Sequence, residues 1–266
     1  MRLTLWNLLI QASLWEIAKM SPNSLLSKFV TCFVAGLTCA ALLLVLGNSG
    51  SISWFPPVIV FSLVGICLLT ALAFPFIWQF KEAKQKINSE KVYGFLYTFI
   101  RYCIAFNLAS FGWKKLLGLQ FVVPEEIAGK PMNQQSGEWL TWYYFGYSFA
   151  FGLIVAAIQI IGSYLLLFRR TLLLGAIILF SFMMNLMLIN VFYQMNAGAL
   201  LQSVVLTIGI LFLILAEYKS LVVLFFKATS NIPTITYKNL LTKNIVRLSA
   251  ILLSLLFTLY LKASLL

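Results

Sequence analysis

Hydrophobic residues in this chain fall in long unbroken runs rather than in alternation. The runs cover Leu25–Leu46, Val58–Phe80, Tyr93–Trp113, Leu140–Phe168, Thr171–Phe192, Ala199–Leu215 and Ile245–Leu261. Most reach the ~20 apolar residues that a membrane-spanning helix needs. A transmembrane β-barrel would instead show ~10-residue alternating segments. The pattern therefore predicts an all-α, polytopic transmembrane bundle of about seven spans. Ahead of the first run, Leu3, Trp6, Ile10, Leu14 and Ile17 recur at helical spacing, and Ser21-Pro22 follows. That stretch predicts an amphipathic helix lying in the membrane interface rather than a cleaved signal peptide.

The polar segments between runs set the organisation. Lys81–Lys91 (KEAKQKINSEK) is the most charged stretch and separates the first two spans from the rest. Lys114–Glu138 is the longest hydrophilic segment, and Ala228–Lys243 connects to the last run. The expected parts are 1–91 (interfacial helix and a two-span hairpin), 92–227 (a four-helix core) and 228–266 (connector and last span). At the centre stands one hairpin: the runs Leu140–Phe168 and Thr171–Phe192 meet at Arg169-Arg170. An arginine at the bilayer centre costs at least ~2.5–3.5 kcal/mol on insertion scales, so this turn marks a membrane face.

Composition agrees with the runs. The 266 residues are 62% hydrophobic and 10% charged, where a soluble domain is ~45–50% apolar and ~25% charged. The net charge is +12. In a membrane protein such an excess belongs to cytoplasmic loops, and it does not point to nucleic acid. With Arg169-Arg170 placed inside, alternation puts 14 Lys and Arg inside and 4 outside, with Arg101 inside a span. This predicts a multi-pass protein of the bacterial cytoplasmic (inner) membrane, with its amino terminus in the cytoplasm and its carboxy terminus outside. If the seventh run only lies on the surface, both termini are inside.

Candidate chemistry is sparse. Histidine and aspartate are absent from the chain, which removes the usual metal ligand and the usual general bases. Cys32, Cys39, Cys67 and Cys103 sit in apolar runs with no CxxC spacing, so neither a metal site nor a dithiol centre is expected. No catalytic residue is assigned. Arg101 is the foremost polar residue, since an ionisable group within a span needs a partner or a water-filled cavity. The alternative is that it snorkels to the interface. Asn107, Gln159, Asn185 and Asn190 are amides in central spans. They serve as interhelical hydrogen-bonding groups, or else line a polar pocket with Arg101, Tyr102 and Tyr147. Such a pocket would suit a quinone or lipid head group, or a peptide.

Four segments carry a family resemblance: RYCIAFNLASFGWKKL (Arg101–Leu116), FGYSFAF (Phe145–Phe151), LLLFRRTLLLGA (Leu165–Ala176) and NLMLINVFY (Asn185–Tyr193). Residues 93–226 resemble the DoxX-like membrane proteins. The resemblance implies a four-helix membrane core. The family's namesake resembles the small subunit of a thiosulfate:quinone oxidoreductase, and other relatives look like accessory subunits or assembly chaperones. Related sequences tend to carry a glutamate where this chain has Gln159, so a proton-linked role is not implied. The expectation is a non-catalytic accessory or scaffold subunit, with lipid and other membrane or periplasmic subunits as partners and no cofactor. The alternatives are a membrane subunit of a quinone-linked oxidoreductase, with Arg101, Tyr102, Asn107 and Gln159 around the quinone, and a small-solute transporter.

Overall fold

The computed structural model describes residues 24–48, 51–227 and 240–265. The expected interfacial helix of residues 1–20 lies outside the described residues. The long helices are α1 (Leu25–Leu46), α2 (Pro57–Ala83), α3 (Ser89–Leu116), α4 (Gly137–Gly146), α5 (Phe149–Leu166), α6 (Leu172–Phe192), α7 (Ala197–Ala216) and α8 (Leu240–Leu265). Among the described residues there is no strand, apart from an isolated bridge between Ile52 and Phe55.

Helix starts follow local chemistry. Ser24 accepts from Ser27 N (3.1 Å), Asn88 from Lys91 N (3.1 Å) and Asn196 from Ala199 N (3.0 Å), each satisfying an otherwise orphaned amide. Pro57 opens α2, where its missing N–H costs nothing.

Six helices, α1, α2, α3, α5, α6 and α7, are long and apolar enough to cross a membrane. They mark the chain as an integral membrane protein whose apolar faces meet lipid. The predicted seventh run lies within α8, but its apolar stretch is only Ile251–Ala263, ~20 Å of helix against a ~30 Å hydrocarbon core.

The first arm of the central hairpin departs from the expectation. Leu140–Phe168 is not one helix: α4 ends at Gly146 and α5 begins at Phe149. A continuous helix over that run would be ~43 Å long, well beyond the ~30 Å core. The break leaves α5 at ~27 Å. Ser148 caps the new start by accepting from Phe151 N (3.4 Å). Gly146 allows the backbone of Phe121 to approach, since a Cβ there would lie 3.1 Å from its carbonyl oxygen. The aromatic-rich α4 carries Trp139, Trp142, Tyr143 and Tyr144, the residue types that favour the membrane interface.

Residues Met1–Val223 and Leu224–Leu266 form separate compact units. In the first, α3 packs against α5 and α1, α6 lies between α5 and α7, and α1 packs on α2, α3 and α7. Ile100, Ile104 and Leu108 of α3 meet Leu179 and Met183 of α6 and Leu206, Ile210 and Leu213 of α7 in one apolar core. Helix α2 packs chiefly on α1, and only 11% of its span is buried, against 50% for α7. In the second unit, residues 251–263 of α8 are exposed.

Candidate functional site

The two ends of the six-helix body carry different polar chemistry. At the end marked by Arg169 and Arg170, polar side chains are consumed by structure. Arg101 is 5% exposed, and its guanidinium donates twice to the carbonyl of Leu166, from Nε (3.1 Å) and Nη2 (2.8 Å). It also lies 6.0 Å from the Tyr97 ring centroid. Leu166 is the last residue of α5, where carbonyls have no partner within the helix. Thr171 Oγ1 donates to the neighbouring Leu165 carbonyl (2.9 Å). Arg101 and Thr171 together close α5, whereas Arg169 and Arg170 are exposed.

The same end holds a cluster that the hydropathy pattern did not reveal. Lys28 is fully buried in the first turn of α1. Its ammonium donates to Gln79 Oε1 (2.5 Å) and pairs with Glu82. It sits 5.6 Å from the ring centroid of Trp78. The Trp78 indole donates to Ser89 Oγ (2.9 Å), and Ser89 in turn donates to Glu82. This network ties α1, α2 and α3 together. Lys28 is the fourth residue of a helix that is otherwise largely apolar. Only the approach of Glu82 from α2 makes its burial tolerable.

The opposite end opens into a cavity of about 310 Å³ between α1, α3, α4, α5, α6 and α7. Phe111, Phe121, Trp142, Phe145 and Phe182 supply aromatic walls. Gln159, Asn190, Gln202 and Ser203 contribute the inner polar groups, and Lys114 and Lys115 line it where α3 ends. Phe121 adopts φ +67°, a conformation costing a bulky L-residue ~1–2 kcal/mol. It is held there by stacking on Phe145 (5.3 Å between centroids) and by an edge contact with Trp142 (6.3 Å).

The polar residues singled out from the sequence do not form one pocket. Gln159 lines the cavity, 1% exposed, with its Oε1 unpartnered. Asn107 is fully buried but turns back to the Cys103 carbonyl of its own helix (2.8 Å), leaving Oδ1 unpartnered, and does not line the cavity. Arg101 holds a carbonyl seven residues beyond Gln159, ~10 Å along α5, so those two do not pair. Tyr102 and Tyr147 are exposed, at 53% and 93%. Asn185 is also exposed. Asn190 takes the inward place, donating to the Ala199 carbonyl (3.0 Å) and to Ser203 Oγ (2.9 Å). Both amides sit in one apolar run, and only the rotation of α6 in the bundle separates their roles.

No group of three or more His, Cys, Asp or Glu side chains is arranged to hold a metal ion among the described residues. The chain is 37% identical over 94 residues to an uncharacterized protein of Bacillus subtilis (strain 168), YwoB. The match covers 34% of this chain and 57% of that protein. No protein-family model matches the chain, and no solved structure matches it.

Proposed function

We propose that this protein is a non-catalytic accessory or scaffold subunit of a complex in the bacterial cytoplasmic membrane. The observation that carries this reading is Asn185. It lies 13 residues into the 21-residue α6, faces outward, and makes no hydrogen bond to the described residues. An amide turned towards hydrocarbon without a partner is costly, and such groups pair across helices in membrane assemblies. A transmembrane helix of a second subunit, offering an amide or hydroxyl, satisfies it. The resemblance of residues 93–226 to DoxX-like proteins supports the same reading. The charge asymmetry supports an amino terminus inside.

Purification in mild detergent after cross-linking tests this reading. A membrane or periplasmic protein should co-purify in fixed stoichiometry, and Asn185→Leu should release it while the chain stays monodisperse. No stable partner, or a partner indifferent to Asn185→Leu, refutes the proposal.

A second reading is a membrane subunit of a quinone-linked oxidoreductase. Its support is the aromatic wall of the cavity, which suits a planar ring. Organic extraction of the purified protein tests it, because a bound quinone in stoichiometric amount is required.

A further inference from the structure

The cavity at the end of α3 shows which atoms a ligand must bring. Several of its side-chain donors are already occupied. Asn190 Nδ2 serves Ala199 and Ser203, and the Ser203 hydroxyl donates to the Leu200 carbonyl (2.8 Å). Gln202 Nε2 donates to the Ala41 carbonyl (3.0 Å), and Thr141 Oγ1 to the Gly137 carbonyl (2.9 Å). Two of its buried acceptors have no partner. Gln202 Oε1 and Gln159 Oε1 are buried and unpartnered. The orientation of Gln202 follows from its neighbour, because a carbonyl accepts only from the amide nitrogen. Buried acceptors without partners call for a ligand carrying hydroxyl or N–H donors.

The lysines add a second requirement. Lys114 Nζ reaches Asn48 Oδ1 (3.2 Å), and Lys115 Nζ reaches Gln120 Oε1 (2.8 Å) and the Phe111 carbonyl (3.4 Å). All three acceptors are neutral. Among the described residues the ion pair is Lys28–Glu82, at the other end of the body. A carboxylate does stand near the rim, where Glu138 accepts from Asn196 Nδ2 (2.8 Å), but it pairs with neither lysine. Two adjacent lysines facing neutral acceptors favour an anion. Lys115 and Leu108 both line the cavity, seven residues apart on α3, which sets its depth at ~10 Å.

We infer that this cavity binds a phosphorylated polyol of the glycerol phosphate type. The phosphate sits at Lys114 and Lys115, and the hydroxyls point inward to donate to Gln202 Oε1 and Gln159 Oε1. A quinone brings no donor for Gln202 Oε1, and a bare phosphate brings no hydroxyl-bearing arm. The same chemical group has two sources: the head group of phosphatidylglycerol, with its acyl chains outside the cavity, or free glycerol 3-phosphate.

The test uses the full chain in phosphatidylcholine nanodiscs, with native mass spectrometry and thermal unfolding as readouts. Phosphatidylglycerol, phosphatidic acid, free glycerol 3-phosphate and inorganic phosphate are titrated separately. The glycerol phosphate group, from one source or the other, should bind at least about tenfold tighter than phosphatidic acid or inorganic phosphate, the worth of one good hydrogen bond. Competition by free glycerol 3-phosphate identifies the soluble source, and its absence identifies the lipid. The variant Lys114→Gln/Lys115→Gln should weaken binding by about tenfold with an unchanged size-exclusion profile. Gln202→Leu should abolish the preference over phosphatidic acid.

Equal binding of phosphatidic acid overturns the polyol part, and indifference to the lysine substitutions overturns the phosphate part. Recovery of a stoichiometric quinone, or no retained ligand at all, overturns the inference entirely. None of these results bears on whether Asn185 meets a partner helix.

Discussion

Replacing Glu82 by alanine strands a charge. Lys28 is fully buried, and Glu82 is its carboxylate partner, with a side chain 24% exposed. Two unit charges ~3 Å apart interact by roughly 5 kcal/mol at an effective dielectric constant of ~20. The partial exposure of Glu82 screens some of that, and Gln79 keeps one acceptor on the ammonium. The expected loss is therefore about 3 kcal/mol, the lower edge for a buried pair broken on one side. The double variant Lys28→Met/Glu82→Ala strands no charge and should lie within about 1 kcal/mol of the parent. Unfolding in detergent micelles, arranged as a double-mutant cycle with both single variants, measures the coupling. A Glu82→Ala protein as stable as the parent, or a double variant as unstable as Glu82→Ala, would refute the claim that α1, α2 and α3 are joined by a buried charge pair.

Four further outcomes are expected. Arg101→Leu leaves the Leu166 carbonyl unpartnered at a buried helix end and should cost about 1–3 kcal/mol in the same assay, with Arg101→Lys costing less. Equal stability of all three proteins would mean that Arg101 does not close α5. Gly175→Ala places a Cβ 2.9 Å from the Gly162 carbonyl oxygen and 3.0 Å from Leu166 N, both backbone atoms, and should cost about 1–3 kcal/mol. Gly65→Ala meets nothing within 4 Å and should be neutral, or up to ~1 kcal/mol stabilising. For orientation, Gln134→Cys in a cysteine-free background should react with an impermeant maleimide in intact cells, and Arg170→Cys only after permeabilisation. The reverse pattern overturns the inside placement of the arginine turn.

Much of the helical layout was legible in the chain. Leu25–Leu46 appears with the bounds read from its run, and Thr171–Phe192 differs by one residue at its start. Apolar length alone decides these, because a segment that must satisfy its backbone in lipid has little choice but helix. The break at Tyr147-Ser148 was less legible. Gly146 ends α4 where Phe121 arrives beside it, and Ser148 caps the new start.

The candidate site was only partly legible, for a related reason. Gln159 and Asn190 are cavity residues, while Asn185, five positions from Asn190 in the same run, faces out. Helices α5, α6 and α7 are apolar on all sides, so hydropathy does not say which face turns inward. Packing decides it. Gly162 and Gly175 set the close approach of α5 to α6.

The sequence by itself determined that this is a helical membrane protein and where most of its spans run, since transfer from water to lipid scales with local composition. It also exposed the absence of histidine and aspartate. Only the tertiary structure decided what each polar side chain does. Arg101 closes a helix, Lys28 meets Glu82, and Gln159 and Gln202, each with an unpartnered acceptor, line a cavity beside two lysines. Those outcomes depend on partners 51 to 161 residues away along the chain, and hydropathy carries no information about such pairings.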